Sequence, residues 1–145
     1  MPDSRKVYRG VHRQKLDELV REILDHFPDV RVFALTGPLG SGKTTLVKAF
    51  GKKLGVAGGM SSPTFGLVNE YTGTAGSRIY HFDFYRIRNE QEAQEIGTEE
   101  YLFSGAYCFV EWPENISHLM PDRHVEIRLY PDDETHRTIE IISHG

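Results

Sequence analysis

Cysteine is almost absent from this chain, because Cys108 is the only one among its 145 residues, and an internal disulfide is therefore excluded. Long apolar runs are also missing, since no stretch approaches the roughly 20 residues that span a bilayer. The N-terminal sequence MPDSRKVYRG lacks the apolar segment of a secretory signal. These absences predict a cytoplasmic protein that makes no contact with a membrane.

A basic stripe is absent as well, because the 17 lysines and arginines are outnumbered by 21 acidic residues and the formal net charge is −4. Proteins that bind nucleic acid directly concentrate positive charge on one face. The charge balance therefore disfavours binding of nucleic acid by this chain alone. The length fits one domain, which we place at 1–145.

The hydrophobic pattern predicts an α/β domain with a sheet of mixed direction. Apolar residues at helical spacing predict a helix over 16–27, and short apolar runs predict buried strands in 30–37 and 106–112. A hairpin is predicted from 65–73 and 77–86, and a further helical region from 89–105 with Asn89 as its N-cap. Two alternating runs, 124–130 and 137–143, predict an antiparallel pair of strands at the C-terminus.

A glycine-rich segment follows the first buried strand and precedes a predicted helix that ends near residue 55. Residues 37–44, GPLGSGKT, fit the pattern G-x-x-x-x-G-K-[ST], in which backbone N–H groups and a helix N-terminus surround a polyphosphate. Lys43 is expected to reach the β- and γ-phosphates, and the Thr44 hydroxyl to bind Mg²⁺. The sequence therefore predicts ATP and Mg²⁺ as cofactors, and these residues as nucleotide-binding: Gly37, Gly40, Ser41, Gly42, Lys43, Thr44 and Thr45.

Hydrolysis or transfer requires a second group near the metal, and two acidic residues are candidates. Asp83 and Glu111 each follow an apolar run, at the point where a buried strand meets the crevice at the sheet's edge. We expect both acids near Thr44, at the carboxyl ends of strands flanking the strand before the loop. Either acid alone could instead be a solvated strand-end residue, or could pair with a neighbour such as Arg86.

Other motifs are missing or weak. Neither N-K-x-D nor D-x-x-G is present, which argues against a Ras-type GTPase. The histidines do not pair with cysteine at ligand spacing, which disfavours a zinc site. Thr64, in the loop SSPT, could reach a phosphate or the metal, although a plain turn is the favoured interpretation.

The motifs together resemble the bacterial TsaE (YjeE) family over roughly residues 33–141. The resemblance rests on five segments: GPLGSGKTTLVKAFGKKLG (37–55), SSPTFGLVNEY (61–71), YHFDFYR (80–86), VEWPE (110–114) and LMPDRHVEI (119–127). It implies a P-loop NTPase-like three-layer sandwich with a mixed central sheet. By the resemblance Lys43, Asp83 and Glu111 are catalytic, Thr44 and Glu111 are associated with the metal, and Trp112 adjoins the glutamate. Arg137 corresponds to an arginine that touches the nucleotide.

The resemblance also implies a function. Members bind ATP, hydrolyse it weakly, and support the partner proteins TsaD and TsaB in forming threonylcarbamoyladenosine beside the anticodon of tRNAs that read codons starting with A. Contact with tRNA is expected through the partners. The alternatives are a small-molecule kinase, in which Arg86 and Arg88 would clamp phosphates, and a non-catalytic module that binds a partner in response to nucleotide.

Overall fold

The computed structural model describes residues 4–63 and 67–145 and places their strands in one seven-stranded sheet. The strands are β1 Arg5–His12, β2 Val32–Thr36, β3 Val68–Thr72, β4 Arg78–Asp83, β5 Tyr107–Glu111, β6 His124–Pro131 and β7 His136–His144. The α-helices are α1 Leu16–His26, α2 Lys43–Lys53, α3 Glu90–Glu95 and α4 Thr98–Leu102. Short 3₁₀ segments cover Arg13–Lys15, Thr74–Gly76 and Pro113–Ile116.

The sheet is mixed, in the order β1-β7-β6-β2-β5-β4-β3. Strand β2 lies in the centre and pairs in parallel with β5 and β6, and β4 pairs in parallel with β5. The pairs β3–β4, β6–β7 and β1–β7 are antiparallel. The predicted mixed sheet, the hairpin and the C-terminal antiparallel pair are therefore confirmed.

Helices cover both faces of the sheet and make three layers. Alternate residues of β2 and β5 point to opposite sides, so Phe33 and Phe109 join one apolar cluster, whereas Val32 and Val110 join the other. The first cluster includes buried residues of α1 and α2, and the second includes Ala93 and other residues from the region of α3 and α4. The predicted three-layer sandwich is confirmed.

The structure differs from the sequence prediction at two places. The helical region 89–105 is two helices, because Gly97 adopts a left-handed conformation (φ 81°) between α3 and α4. Its predicted N-cap is confirmed, since the Asn89 Oδ1 accepts a hydrogen bond from the Glu92 N–H at 3.2 Å. The second difference is β1, which the sequence did not predict.

Strand β1 forms through backbone pairing at the edge of the sheet. It runs antiparallel to β7, with a shift in register between Tyr8 and Val11, and most of its side chains are exposed. Charged residues interrupt its apolar pattern, so the period of two that identifies a half-buried strand is absent. Within the part of the chain that the structure describes, no helix is both long and apolar enough to cross a membrane.

Candidate functional site

The glycine-rich segment forms a tight loop between the end of β2 and the start of α2. Gly37 opens it at φ 149°, and a Cβ at this position would lie 2.7 Å from both the Leu129 carbonyl oxygen and the Ser41 Oγ. Only glycine fits such a close approach of backbone. The packing of β6 against the loop therefore explains the first glycine of the motif.

The N-terminus of α2 presents unpaired donors to this loop. The first helical bond at this end joins the Leu46 N–H to the Gly42 carbonyl at 2.9 Å, so the N–H groups of Lys43, Thr44 and Thr45 precede it. Among the described residues, no side chain caps the helix at Gly42 and none bonds to the buried Ser41 hydroxyl. The loop thus offers several unpaired donors and the positive end of a helix dipole, which is the chemistry that an anion needs.

Lys43 is held inside the loop, with only 5% of the residue exposed. Its ammonium group donates to the carbonyl of Gly37 and, at 3.3 Å, to that of Pro38. The ammonium also lies 3.8 Å from the centre of the Trp112 ring, within the range of a cation–π contact. Burial lowers the pKa of Lys43, and the nearby carboxylates of Glu111 and others oppose that shift.

Glu111 reaches the start of the same helix from the end of β5. It is 3% exposed, and the Thr44 hydroxyl donates to its carboxylate, with Oγ1 at 2.9 Å from Oε2 and 3.1 Å from Oε1. The Ser62 hydroxyl lies 3.1 Å from the same Thr44 oxygen. Because β5 is parallel to β2 and adjacent to it, its carboxyl end opens beside the loop, as predicted for Glu111.

Asp83 lies one strand further away than predicted. It ends β4, which pairs with β5 and does not flank β2, and it is in register with Glu111. Neighbouring residues in register point to the same face of a sheet, so Asp83 still lines the cleft that contains Lys43 and Thr44. Its Oδ1 accepts from the Tyr85 N–H at 3.0 Å.

The alternative pairing of Asp83 with Arg86 finds no support in the described part of the chain, where no ion pair joins them and Arg86 is exposed. Arg88, the other arginine of the kinase hypothesis, pairs with Glu92 at 3.1 Å, and 88% of its side chain is exposed. Neither arginine lines the cleft at the loop.

Arg137 lies at the start of β7 and holds the glycine-rich loop from the other side. Its Nε donates to the Ser41 carbonyl at 2.7 Å, and its Nη2 is 3.4 Å from the Gly40 carbonyl. Its Nη1 donates to the carbonyls of Asp133 and His136. The structure therefore places Arg137 beside the loop, where its donors meet backbone carbonyls.

Two adjoining clefts surround the loop. The first, the loop cleft, has a volume of about 380 Å³ and is lined by both positively and negatively charged side chains. The charged residues are Arg13, Lys43, Arg137, Asp83 and Glu111. The glycine-rich loop, Thr44, Ser62, Tyr85 and Trp112 complete the lining. The side cleft, of about 320 Å³, lies between β1, β6 and β7 and has apolar walls from Val11, Leu16, Leu129 and Ile139. Ser41, Gly42, Thr45, Arg13 and Arg137 line both.

Sequence reasoning missed several residues of this site, among them Tyr85. Arg13 belongs to the unpredicted N-terminal region, and Ser62 was not distinguished from the rest of its loop. His81 was not distinguished either, although it is fully buried and its Nε2 lies 2.6 Å from the Glu111 Oε2. A histidine at an apolar position of a buried strand, two residues before a candidate acid, was the signal available. Thr64 lies outside the described residues.

The loop that follows the central strand, the helix that begins in it and the acid on the adjacent parallel strand define a fold of the P-loop NTPase type. Comparison with known proteins then identifies the family. A sequence model described as "Threonylcarbamoyl adenosine biosynthesis protein TsaE" matches residues 11–139, and the chain belongs to the TsaE family.

Individual relatives agree with this assignment. The tRNA threonylcarbamoyladenosine biosynthesis protein TsaE of Haemophilus influenzae is 38% identical over 75% of this chain and 68% of its own length. The protein of the same name from Bacillus subtilis is 34% identical over 79% and 70%. The crystal structure of B. subtilis YdiB is similar with a TM-score of 0.74 and 26% identity, covering all of this chain and 89% of YdiB.

Proposed function

We propose that this chain binds ATP with Mg²⁺, hydrolyses it weakly alone, and supports TsaD-like and TsaB-like partners in forming threonylcarbamoyladenosine on tRNA. The observation that carries the proposal is the convergence of Lys43, Thr44 and Glu111 at the uncapped N-terminus of α2. Membership of a family named for this biosynthesis supports the pathway. A cytoplasmic location is part of the proposal, because tRNA is modified there.

The loop supplies the phosphate-binding groups in this proposal. The N–H groups at the start of α2 would donate to phosphate oxygens, and the Lys43 ammonium would exchange its carbonyl partners for them. Thr44 and Glu111 present the oxygen ligands that Mg²⁺ prefers, and they would hold the ion, directly or through water. The bound ion would neutralise charge on the phosphates.

In this proposal Asp83 would act on the attacking water. It shares the face of the sheet with Glu111 and lines the loop cleft, and its carboxylate is only partly buried. A carboxylate within reach of an attacking water can orient it and accept its proton. We therefore assign Glu111 to the metal and Asp83 to the water.

The side cleft is suited to the base of the nucleotide. Its apolar walls can cover the flat faces of an aromatic ring, and its polar lining, which includes His12, Glu134 and Thr135, can contact the ring's edge. The cleft shares Gly42, Thr45 and Arg137 with the loop cleft, so a base in one and phosphates in the other would be continuous. ATP is proposed over GTP because no N-K-x-D motif is present.

The partners are proposed from the charge balance and the family. A net charge of −4 disfavours direct binding to the phosphates of tRNA, so contact with tRNA would require other proteins. We expect the purified chain alone to cause no shift of tRNA in a native gel at about 150 mM salt. When a TsaD–TsaB pair is added, we expect this chain to be found in the shifted complex with tRNA. Strong retention of tRNA by the chain alone would contradict this part of the proposal.

A reconstituted reaction tests the function as a whole. The protein is combined with a TsaD–TsaB pair, ATP, Mg²⁺, threonylcarbamoyl-adenylate and tRNA, and formation of modified tRNA is followed over repeated turnovers. Repeated turnover that requires this chain and ATP, with a stimulated ATPase rate, is the expected result. Transfer of phosphate to a member of a metabolite panel, without an effect on tRNA modification, would favour the kinase alternative instead.

A further inference from the structure

A buried histidine lies directly behind the proposed metal ligand. His81 is in the middle of β4, between Ile79 and Asp83 on the same face of the strand, and none of its surface is exposed. Ile79 belongs to the apolar cluster beneath α1 and α2. Burying a polar ring among apolar side chains costs free energy unless the ring is hydrogen-bonded. The hydrogen bond that His81 makes is therefore the feature to explain.

The bond of His81 is made with Glu111. The distance from Nε2 to Oε2 is 2.6 Å, and both side chains are almost completely buried. The other ring nitrogen, Nδ1, is buried and has no partner among the described residues. A hydrogen bond to a carboxylate needs the proton on Nε2, whereas a proton on Nδ1 would leave a buried donor unsatisfied.

We propose that His81 is a positioning residue, which donates its Nε2 hydrogen to Glu111 and thereby orients the carboxylate toward Thr44 for the metal. The inference rests on the proposed function of Glu111 as a metal-associated residue. His81 itself does not reach the loop cleft, whose lining includes Glu111 and Thr44 but not the histidine. It therefore acts through the carboxylate.

Two contacts hold the carboxylate from different elements. Thr44 donates to it from the first turn of α2, and His81 donates to it from the strand adjacent to β5. Thr44 is itself a proposed ligand, so its hydrogen bond to Glu111 would change when an ion is bound. The His81 contact comes from behind, where no ligand enters, so it can persist in both states. Groups in this position change metal affinity by about 10- to 100-fold when they are removed.

The metal-free protein offers the first test. Nitrogen-15 NMR of the imidazole distinguishes which ring nitrogen carries a hydrogen, and we expect a hydrogen on the Nε2 of His81. The assignment is made by comparison with the spectrum of His81→Gln. A hydrogen on Nδ1 alone would overturn the inference without affecting the proposed function.

Matched substitutions provide the second test. The amide nitrogen of His81→Gln reaches about as far as Nε2, the shorter His81→Asn amide does not, and His81→Phe removes the donor. We expect nucleotide affinity without metal to be similar in all of them. The Mg²⁺ concentration needed for half-maximal tightening should rise by about 10-fold or more in His81→Phe and His81→Asn, with His81→Gln restoring most of the loss. Circular dichroism and thermal unfolding identify variants that are folded.

A double-mutant cycle separates positioning from a general structural effect. If His81 acts through Glu111, then His81→Asn should have little further effect on the Mg²⁺ dependence in a Glu111→Gln background. Equal effects in both backgrounds, or an unchanged Mg²⁺ dependence in folded His81→Asn, would overturn the inference. A wild-type protein that binds ATP without any influence of Mg²⁺ would instead refute the metal part of the proposed function, and the role of His81 with it.

Discussion

At the scale of the residue, Lys43 shows how the site stabilises a buried positive charge before any ligand binds. Its ammonium is almost fully buried and rests on loop carbonyls and the face of Trp112, which partly replace the water it has lost. Burial nevertheless lowers its pKa. A phosphate would be a stronger partner than any of these contacts, because two opposite charges would then be paired at an ammonium group that is almost fully buried.

Replacement of Lys43 by alanine should therefore weaken ATP binding by about 2–5 kcal/mol, by analogy with other buried charge pairs that lose one partner. Isothermal titration calorimetry with ATP and Mg²⁺ measures the effect. Lys48→Ala is the matched control, since Lys48 is exposed on the same helix and should leave the affinity unchanged. An unaltered affinity in Lys43→Ala would contradict the phosphate-binding role of the loop.

Substitution of the two carboxylates should separate ATP binding from ATP hydrolysis. In Glu111→Gln and Asp83→Asn, the loop and Lys43 remain, so ATP should still bind, whereas partner-stimulated hydrolysis should fall by about 10²-fold or more. Phosphate release in the presence of the partners is the measurement. Glu100→Gln is the control, because Glu100 is exposed on α4 and does not line the loop cleft. Full hydrolysis by Asp83→Asn would remove Asp83 from the mechanism.

At the scale of the element, the break between α3 and α4 depends on one backbone conformation. Gly97 adopts φ 81°, and a Cβ there would meet no heavy atom within 4 Å. Substitution of Gly97 by alanine would therefore add backbone strain without a steric clash. The loop before β3 offers a comparison, since Gly59 has the same open surroundings but does not have a left-handed φ.

Gly97→Ala should lower the free energy of unfolding by about 1–2 kcal/mol, because L-residues pay this cost in the left-handed region. Gly59→Ala should be neutral, or stabilise the protein by up to about 1 kcal/mol, since it restricts only the unfolded chain. Urea denaturation followed by circular dichroism compares the two. Equal effects of both substitutions would show that the break does not require the left-handed conformation.

At the scale of the whole molecule, the sheet carries a pH-sensitive group at the end opposite the site. His124 begins β6 and stacks against His144 from the end of β7, with ring centres 4.6 Å apart. Burial is the main cause that lowers the pKa of His124, and the charge of His144 adds to it. The Pro121 carbonyl and Glu126 act in the opposite direction.

The folded state consequently binds a proton at His124 less readily than the unfolded chain, whose histidine pKa is about 6.5. This contribution to stability is present above that pH and is lost as the pH falls from about 6.5 toward the folded pKa. Urea denaturation at pH 7.5 and pH 5.5 should show a smaller loss of stability in His124→Gln than in the wild type. His26→Gln, at an exposed position, should retain the wild-type loss, and identical losses in all three proteins would refute the expectation.

The sequence alone determined the features that depend on neighbouring residues. The spacing of glycines before Lys43 and Thr44 encodes the loop, because a strand, a tight turn and a helix N-terminus are local structures. The periodic apolar residues of α1 and the capping Asn89 are local in the same way. The position of Glu111 at the end of a buried strand could also be predicted, since the apolar run of β5 stops at this residue.

Only the tertiary structure decided which distant groups meet. Glu111 and Thr44 are 67 residues apart, and their contact depends on β5 lying next to β2. The same strand order placed Asp83 one strand further out than expected and His81 behind Glu111, and it paired β1 with the edge of β7. Strand order follows from the packing of whole layers and from backbone pairing that is nearly independent of side chains, so no local pattern specifies it.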